Sequence, residues 1–202
     1  MRVAVIGADR PLGTALASGL GDGFEVAAIG AGAAGDVGGY RQVDLLEREA
    51  MDPVLAGVEA MVHAVAFEPE AENEQALLDF VARSTYVALT AAVAAGVGCA
   101  VLISRLDLLR DYPQEYLVGP QWNAIPRADA GSLAPLLAEL TGREIARLGQ
   151  IEVRCLRLGE LGGETTVDDA VAAVRNALVA AREGHHWLLE HVASSGRFAR
   201  GA

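Results

Sequence analysis

The sequence predicts an α/β protein, a doubly wound parallel sheet in a single domain. Three observations carry that expectation. Short apolar runs alternate with helical patterns along the whole chain. The runs are nearly continuously apolar, as in strands covered on both faces rather than one. The chain has 202 residues, 52% of them hydrophobic, which is enough to bury one sizeable core.

The elements follow in order. Residues 3–6 form a first strand, then a turn and a helix over about 11–20. Residues 24–29 form a second strand. A short third strand spans 40–43, with a helix near 46–55. A fourth strand spans 60–65. A long helix covers roughly 73–95, with apolar Leu77, Leu78, Val81, Tyr86, Leu89 and Val93 at mixed three- and four-residue spacing. Residues 99–104 make a fifth strand. Residues 106–130 are irregular, punctuated by Pro113, Pro120, Trp122 and Pro126. A helix over 132–148 starts with Ser132 as its cap. Residues 151–158 form a sixth strand. A helix over 167–181 opens at Thr165, Thr166 and Asp168, and 187–192 is the last strand. No linker, repeat or low-complexity tail divides the chain. A sheet of this kind takes ligands at the carboxyl ends of its strands, beside the first one.

Composition excludes several chemistries. All 16 basic residues are arginine. Without lysine there is no Schiff base and no phosphate loop ending in Gly-Lys-Ser/Thr. The net charge of −11 argues against a nucleic-acid backbone as partner. Mean hydropathy is +0.28, yet no run approaches the roughly 18 apolar residues of a membrane span. The first residues, Met1-Arg2-Val3-Ala4-Val5-Ile6-Gly7, lack a signal-peptide layout. The expectation is a cytoplasmic protein without a membrane partner. Cys99 and Cys155 sit in apolar segments as buried thiols. His63, His185, His186 and His191 form no ligand spacing, so no metal is expected.

Two glycine loops compete as a phosphate site. The literal Gly-x-Gly-x-x-Gly begins at Gly30, but no helix fits between it and the third strand. The motif needs a helix N-terminus approaching a pyrophosphate, so this match is a chance one. The loop Gly7-Ala8-Asp9-Arg10-Pro11-Leu12-Gly13 is better placed, between the first strand and the first helix. Gly7 allows the tight turn and Gly13 the close packing of helix on strand. Pro11 suits an early helical position, and Arg10 adds charge, although the middle glycine is absent. No acid follows the second strand at Ile29-Gly30-Ala31-Gly32, so NADP is expected over NAD, with Arg10 reaching the 2′-phosphate. The flexible glycine loop over 30–39 would lie alongside that ribose.

Several segments together resemble the short-chain dehydrogenase/reductase superfamily, in its NAD-dependent epimerase/dehydratase branch. They are the 7–13 loop, Val43-Asp44-Leu45, the strand ending in Ala64-Val65-Ala66, the passage ending at Ser104, the strand Val153–Gly159, and the helix start at Thr166-Val167-Asp168-Asp169-Ala170. The resemblance implies a Rossmann-like fold. It also implies a nicotinamide cofactor held by the 7–13 loop, with Asp44 and Leu45 by the adenine and Ala64, Val65 and Ala66 as a wall. Ser104 would sit in the active site. The helices 73–95 and 132–148 would pair across a two-fold axis into a homodimer.

The departures matter. The family's tyrosine and lysine should fall near 130–132 and 134–135, where this chain has Ala130-Gly131-Ser132-Leu133-Ala134-Pro135. Tyr112 and Tyr116, in the loop above the site, are candidate replacements, with Arg105 or Arg110 to stabilise a phenolate; otherwise they pack that loop. Between the sixth strand and the late helix stands only Gly159-Glu160-Leu161-Gly162-Gly163-Glu164, so the substrate lobe is reduced or absent. A small lobe from 106–130 would carry Trp122, Asn123 and Arg127. The expected function is an NAD(P)-binding, oxidoreductase-like protein with a degenerate catalytic site and an unidentified small-molecule substrate. The alternative is a non-catalytic nucleotide-binding sensor or scaffold acting through a homodimer.

Overall fold

The computed structural model describes residues 1–33, 37–181 and 186–200. Its strands are β1 (Arg2–Ile6), β2 (Glu25–Gly30), β3 (Arg41–Gln42), β4 (Ala60–His63), β5 (Cys99–Arg105), β6 (Glu152–Leu158) and β7 (Trp187–Val192). All pair in parallel, in the order β3-β2-β1-β4-β5-β6-β7. The order reverses between β1 and β4, so the carboxyl ends of these two strands form the crevice where such sheets take ligands.

The helices are α1 (Pro11–Gly19), α2 (Arg48–Leu55), α3 (Glu74–Ala95), α4 (Ala130–Ala146) and α5 (Val167–Val179). Side-chain alternation along β1 shows how they sandwich the sheet. Ala4 and Ile6 enter the core shared with α2, α3 and α4, whereas Val3 and Val5 enter the core shared with α1 and α5. Burial on both faces is why the strands read as continuous apolar runs rather than alternating ones.

The expected elements are all present, with corrections at their ends. The third strand shrinks to two residues, and the fourth stops at His63 rather than residue 65. The second helix starts at Arg48. Residues 106–130 are not wholly irregular, because Leu106–Leu109 form a turn of 3-10 helix. The cap of α4 is Asp129, not Ser132. The Asp129 carboxylate accepts from the Ser132 N–H at 2.8 Å, so the helix begins at Ala130. The polar side chain three residues earlier takes the capping position. The cap of α5 is Thr166, which accepts from the Asp169 N–H. Contrary to the reading of the sequence, α3 is long and apolar enough by length and composition to cross a membrane. Its apolar residues are used in packing: Val81, Val87, Ala88, Leu89, Ala91 and Ala92 are buried against α2, α4 and the sheet.

Arginine takes over the work of capping in a chain without lysine. Arg154 on β6 is buried beside Glu152, at 2.5 Å, and donates to the carbonyls of Ala177, Ala180 and Ala181. Ala177 is in the last turn of α5, with Ala180 and Ala181 just past its end, and the planar fork reaches all three carbonyls.

His63, at the end of β4, is fully buried, and neither ring nitrogen has a partner among the described residues. Burial disfavours the imidazolium and lowers its pKa to about 4. Between pH 6.5 and 4 the unfolded chain therefore binds more protons at this residue than the folded one, and stability falls as pH falls. The loss reaches about 3 kcal/mol by pH 4. Urea unfolding of His63→Leu is expected to lose about 3 kcal/mol less than the wild type between pH 7 and pH 4. Equal losses would show that His63 does not carry this dependence.

Candidate functional site

The loop after β1 has the geometry expected of a phosphate turn. Gly7 adopts φ +93°, a conformation that favours glycine. The Gly7 and Ala8 N–H groups both donate to the Ile29 carbonyl, at 2.8 and 2.9 Å, which bends the loop over β2. A side chain on Gly13 would put its Cβ 1.9 Å from the Gly7 oxygen, so only glycine allows α1 to lie this close to β1. Pro11 occupies the start of α1 and brings no N–H. The first free donor of the helix is therefore the Leu12 N–H.

That donor is already taken. Glu68, from the segment between β4 and α3, accepts from the Leu12 N–H at 3.0 Å. Two residues on, Glu70 pairs with Arg10. A carboxylate thus occupies the helix N-terminus where a pyrophosphate would be favoured by the same dipole and donor. Glu68, Pro69 and Glu70 close the recess formed by Gly7, Leu45 and Val65, leaving about 10 Å³ inside it. On the far side of the same segment lies an open cavity of about 670 Å³, bounded by Arg105, Arg110 and Glu160. The acidic segment is a partition between the two. Sequence reading passed over it because Glu68 stands 56 residues from its partner.

Asp9 accounts for the glycine run that looked like a chance motif. Its carboxylate accepts from the Gly32 N–H at 2.8 Å. A Cβ on Gly30 would meet Asp9 Oδ1 at 2.2 Å, and one on Gly32 would meet Oδ2 at 2.9 Å. Gly30 and Gly32 make room for this carboxylate, and Tyr40 donates its hydroxyl to the Gly32 carbonyl. Burial, and then the Asp9 charge, push the Tyr40 pKa up. The end of β2 thus has an acid after all, delivered by the first loop. Arg10 stands between two carboxylates, pairing with Glu70 and with Asp9 Oδ2, the latter at 4.0 Å. Residues 34–36 of the glycine run, and His185, lie outside the described residues.

The remaining expected residues disperse. Ala64, Val65 and Ala66 are buried, and Val65 lines the closed recess. Leu45 joins the recess, while Asp44 is exposed and its carboxylate accepts from the Leu46 N–H at 2.9 Å. Ser104 does not face a cavity. It is fully buried, and its hydroxyl donates to Glu139 Oε1 at 2.6 Å. Glu139, on α4, also accepts two bonds from Arg157 on β6, both 2.7 Å. Ser104, Glu139 and Arg157 form a buried network, in which every Glu139 oxygen is used. Ala130 and Ala134, at the positions of the absent tyrosine and lysine, are buried and apolar. Tyr112 and Tyr116 do not replace them. The Tyr112 hydroxyl donates to the Asn123 carbonyl at 3.0 Å, and both rings pack on Trp122. Arg105 and Arg110 both pair with Asp107, and Arg110 also reaches Glu164 at 3.0 Å. Neither arginine meets a tyrosine hydroxyl. Glu139 was missed because a single acid inside a helix carries no local signal of what it faces.

No protein-family model matches the sequence, and no curated protein matches it. Solved structures do. Uronate dehydrogenase from Agrobacterium tumefaciens superposes with a TM-score of 0.81 at 23% identity, covering 96% of this chain and 77% of that one. A double mutant of the dTDP-glucose 4,6-dehydratase DesIV from Streptomyces venezuelae, with NAD bound, gives 0.76 at 18% identity, covering 95% and 75%. A short-chain dehydrogenase/reductase superfamily protein from Agrobacterium tumefaciens with bound NAD gives 0.68 at 25% identity, covering 78% and 49%.

Proposed function

We propose, for a chain that carries the short-chain dehydrogenase/reductase fold in its epimerase/dehydratase form, that it binds a nicotinamide dinucleotide without running the reductase proton transfer. It is then a nucleotide-binding sensor or scaffold of oxidoreductase ancestry. The observation that carries the reading is the buried Ser104–Glu139 bond, which withdraws the expected substrate-facing hydroxyl into the core. Tyrosine and lysine are missing beside it, and a general acid/base needs a group within reach of the proton it moves. The Gly7–Gly13 turn, with Leu45 and the Ala64-Val65-Ala66 wall, supports dinucleotide binding at the crevice. The neighbours with NAD in their structures support the same cofactor.

We take the cofactor to be NAD rather than NADP. The Asp9 carboxylate at the end of β2 would repel a 2′-phosphate and suit a ribose hydroxyl. Titration with NAD, NADH, NADP and NADPH, followed by thermal stability and nicotinamide fluorescence, tests the proposal. Saturable binding of NAD or NADH is expected, with no turnover on aldehydes, ketones or sugar nucleotides. Binding of none of the four would sink it, and turnover would return the chain to the active enzymes. Asp9→Asn is expected to raise NADPH affinity relative to NADH about tenfold, the effect of one nearby charge. An unchanged ratio would remove Asp9 from the discrimination.

Tyr86 on α3 is exposed, which supports a homodimer through α3 and α4. The reading goes with a cytoplasmic protein that meets the soluble dinucleotide pool.

A further inference from the structure

A second cavity, of about 530 Å³, lies away from the crevice, between α4, the edge strand β7 and the loop 120–124. That volume falls in the range of small-molecule sites, about 300–1,000 Å³. Its walls include both tryptophans of the protein, Trp122 and Trp187. Trp122 is held from behind, with the Tyr112 ring edge-on at 4.9 Å and Tyr116 at 5.9 Å. It is also 38% exposed, a large flat apolar surface left open to the cavity side. Leu140 adds a further apolar group.

The polar side of the cavity is made by Glu139, Arg143 and Arg157. The Glu139 carboxylate is fully used, by Ser104 and by the Nε and Nη2 of Arg157. Arg157 Nη1 is buried and has no partner among the described residues. A buried charged donor without an acceptor is costly, and a ligand oxygen that reaches it recovers that cost. Arg143, one helical turn after Glu139, adds a second guanidinium at the half-exposed rim, where its Nε also meets Glu144 at 3.2 Å. Two aromatic faces, an unpartnered guanidinium nitrogen and a rim arginine call for a flat apolar body with one anionic group.

We propose that this cavity is a binding site for a small aromatic carboxylate, separate from the dinucleotide crevice. The ring lies between Trp122 and Trp187, and the carboxylate takes the open donor of Arg157 with Arg143 beside it. The site does not depend on dinucleotide binding.

Because the only two tryptophans line this cavity, intrinsic tryptophan fluorescence reports on it alone. Benzoate titrated into the full chain is expected to change that emission saturably. Benzamide, which has the ring without the charge, should bind at least tenfold more weakly, and inorganic phosphate should leave the emission unchanged. Arg143→Gln, at an exposed rim, is expected to weaken benzoate about fivefold while leaving the unfolding temperature unchanged. Trp122→Leu should abolish saturation in the remaining Trp187 signal. The absence of a saturable change with benzoate overturns the proposal. So does equal binding of benzamide, or undiminished binding by Arg143→Gln.

Discussion

Changing Glu68 to glutamine is expected to raise dinucleotide affinity about tenfold, or ~1.4 kcal/mol. In the free chain the Glu68 carboxylate holds the Leu12 N–H at the start of α1. A dinucleotide bound there must displace it, and the displaced charge stays close to the pyrophosphate. A carboxylate at a helix N-terminus is worth up to ~1–2 kcal/mol in a partly buried setting. Glutamine keeps the size and one acceptor oxygen but removes the charge. Adding Glu70→Gln removes one of the two carboxylates paired with Arg10 and should increase the gain. Isothermal titration with NADH measures both variants against Glu115→Gln, an exposed acid away from the crevice. An affinity that stays level or falls would mean that Glu68 does not compete for this position.

Changing Glu139 to alanine is expected to destabilise the fold by about 3–5 kcal/mol, because it strands a buried guanidinium. For a domain of this size that lowers the unfolding temperature by about 10 °C. Ser104→Ala removes one neutral donor from the same network and should cost only about 1 kcal/mol. Replacing both charges, as Glu139→Leu with Arg157→Met, should recover most of the loss, since a buried pair contributes little net stability. Thermal unfolding of the three variants decides the matter. If Glu139→Ala unfolds like the wild type, the network is not the structural element described here. The contrast with Ser104→Ala also separates a packing serine from a substrate-binding one, which would change ligand affinity and leave stability nearly untouched.

The residues that were legible from sequence act on their near neighbours. Gly7, Pro11 and Gly13 announce the turn because a tight bend, a helix start and a close helix–strand approach are needed within seven positions. Strand burial was legible because burial on both faces leaves no alternation to misread. The Asp9 position was in view, but its destination was not, since the glycines that receive it lie on another strand. Glu68 and Glu139 act across 56 and 35 positions, where neither spacing nor periodicity reports a contact. The cap of α4 shows the local limit. Asp129 and Ser132 are both good cap residues, and only backbone geometry distinguishes them.

The acidic partition also sets how the protein answers its surroundings. A carboxylate tied to the same chain as the site it fills is a competitor that dilution cannot remove. Tethered partners of this kind act at effective concentrations near the millimolar range. If the crevice takes the proposed dinucleotide, ligand below a level set by that tether would leave Glu68 on the Leu12 N–H, whatever the amount of protein. Above it, occupancy would rise and release the segment from Leu12 and Arg10. The freed acidic segment would then be a surface that differs between the empty and the loaded protein.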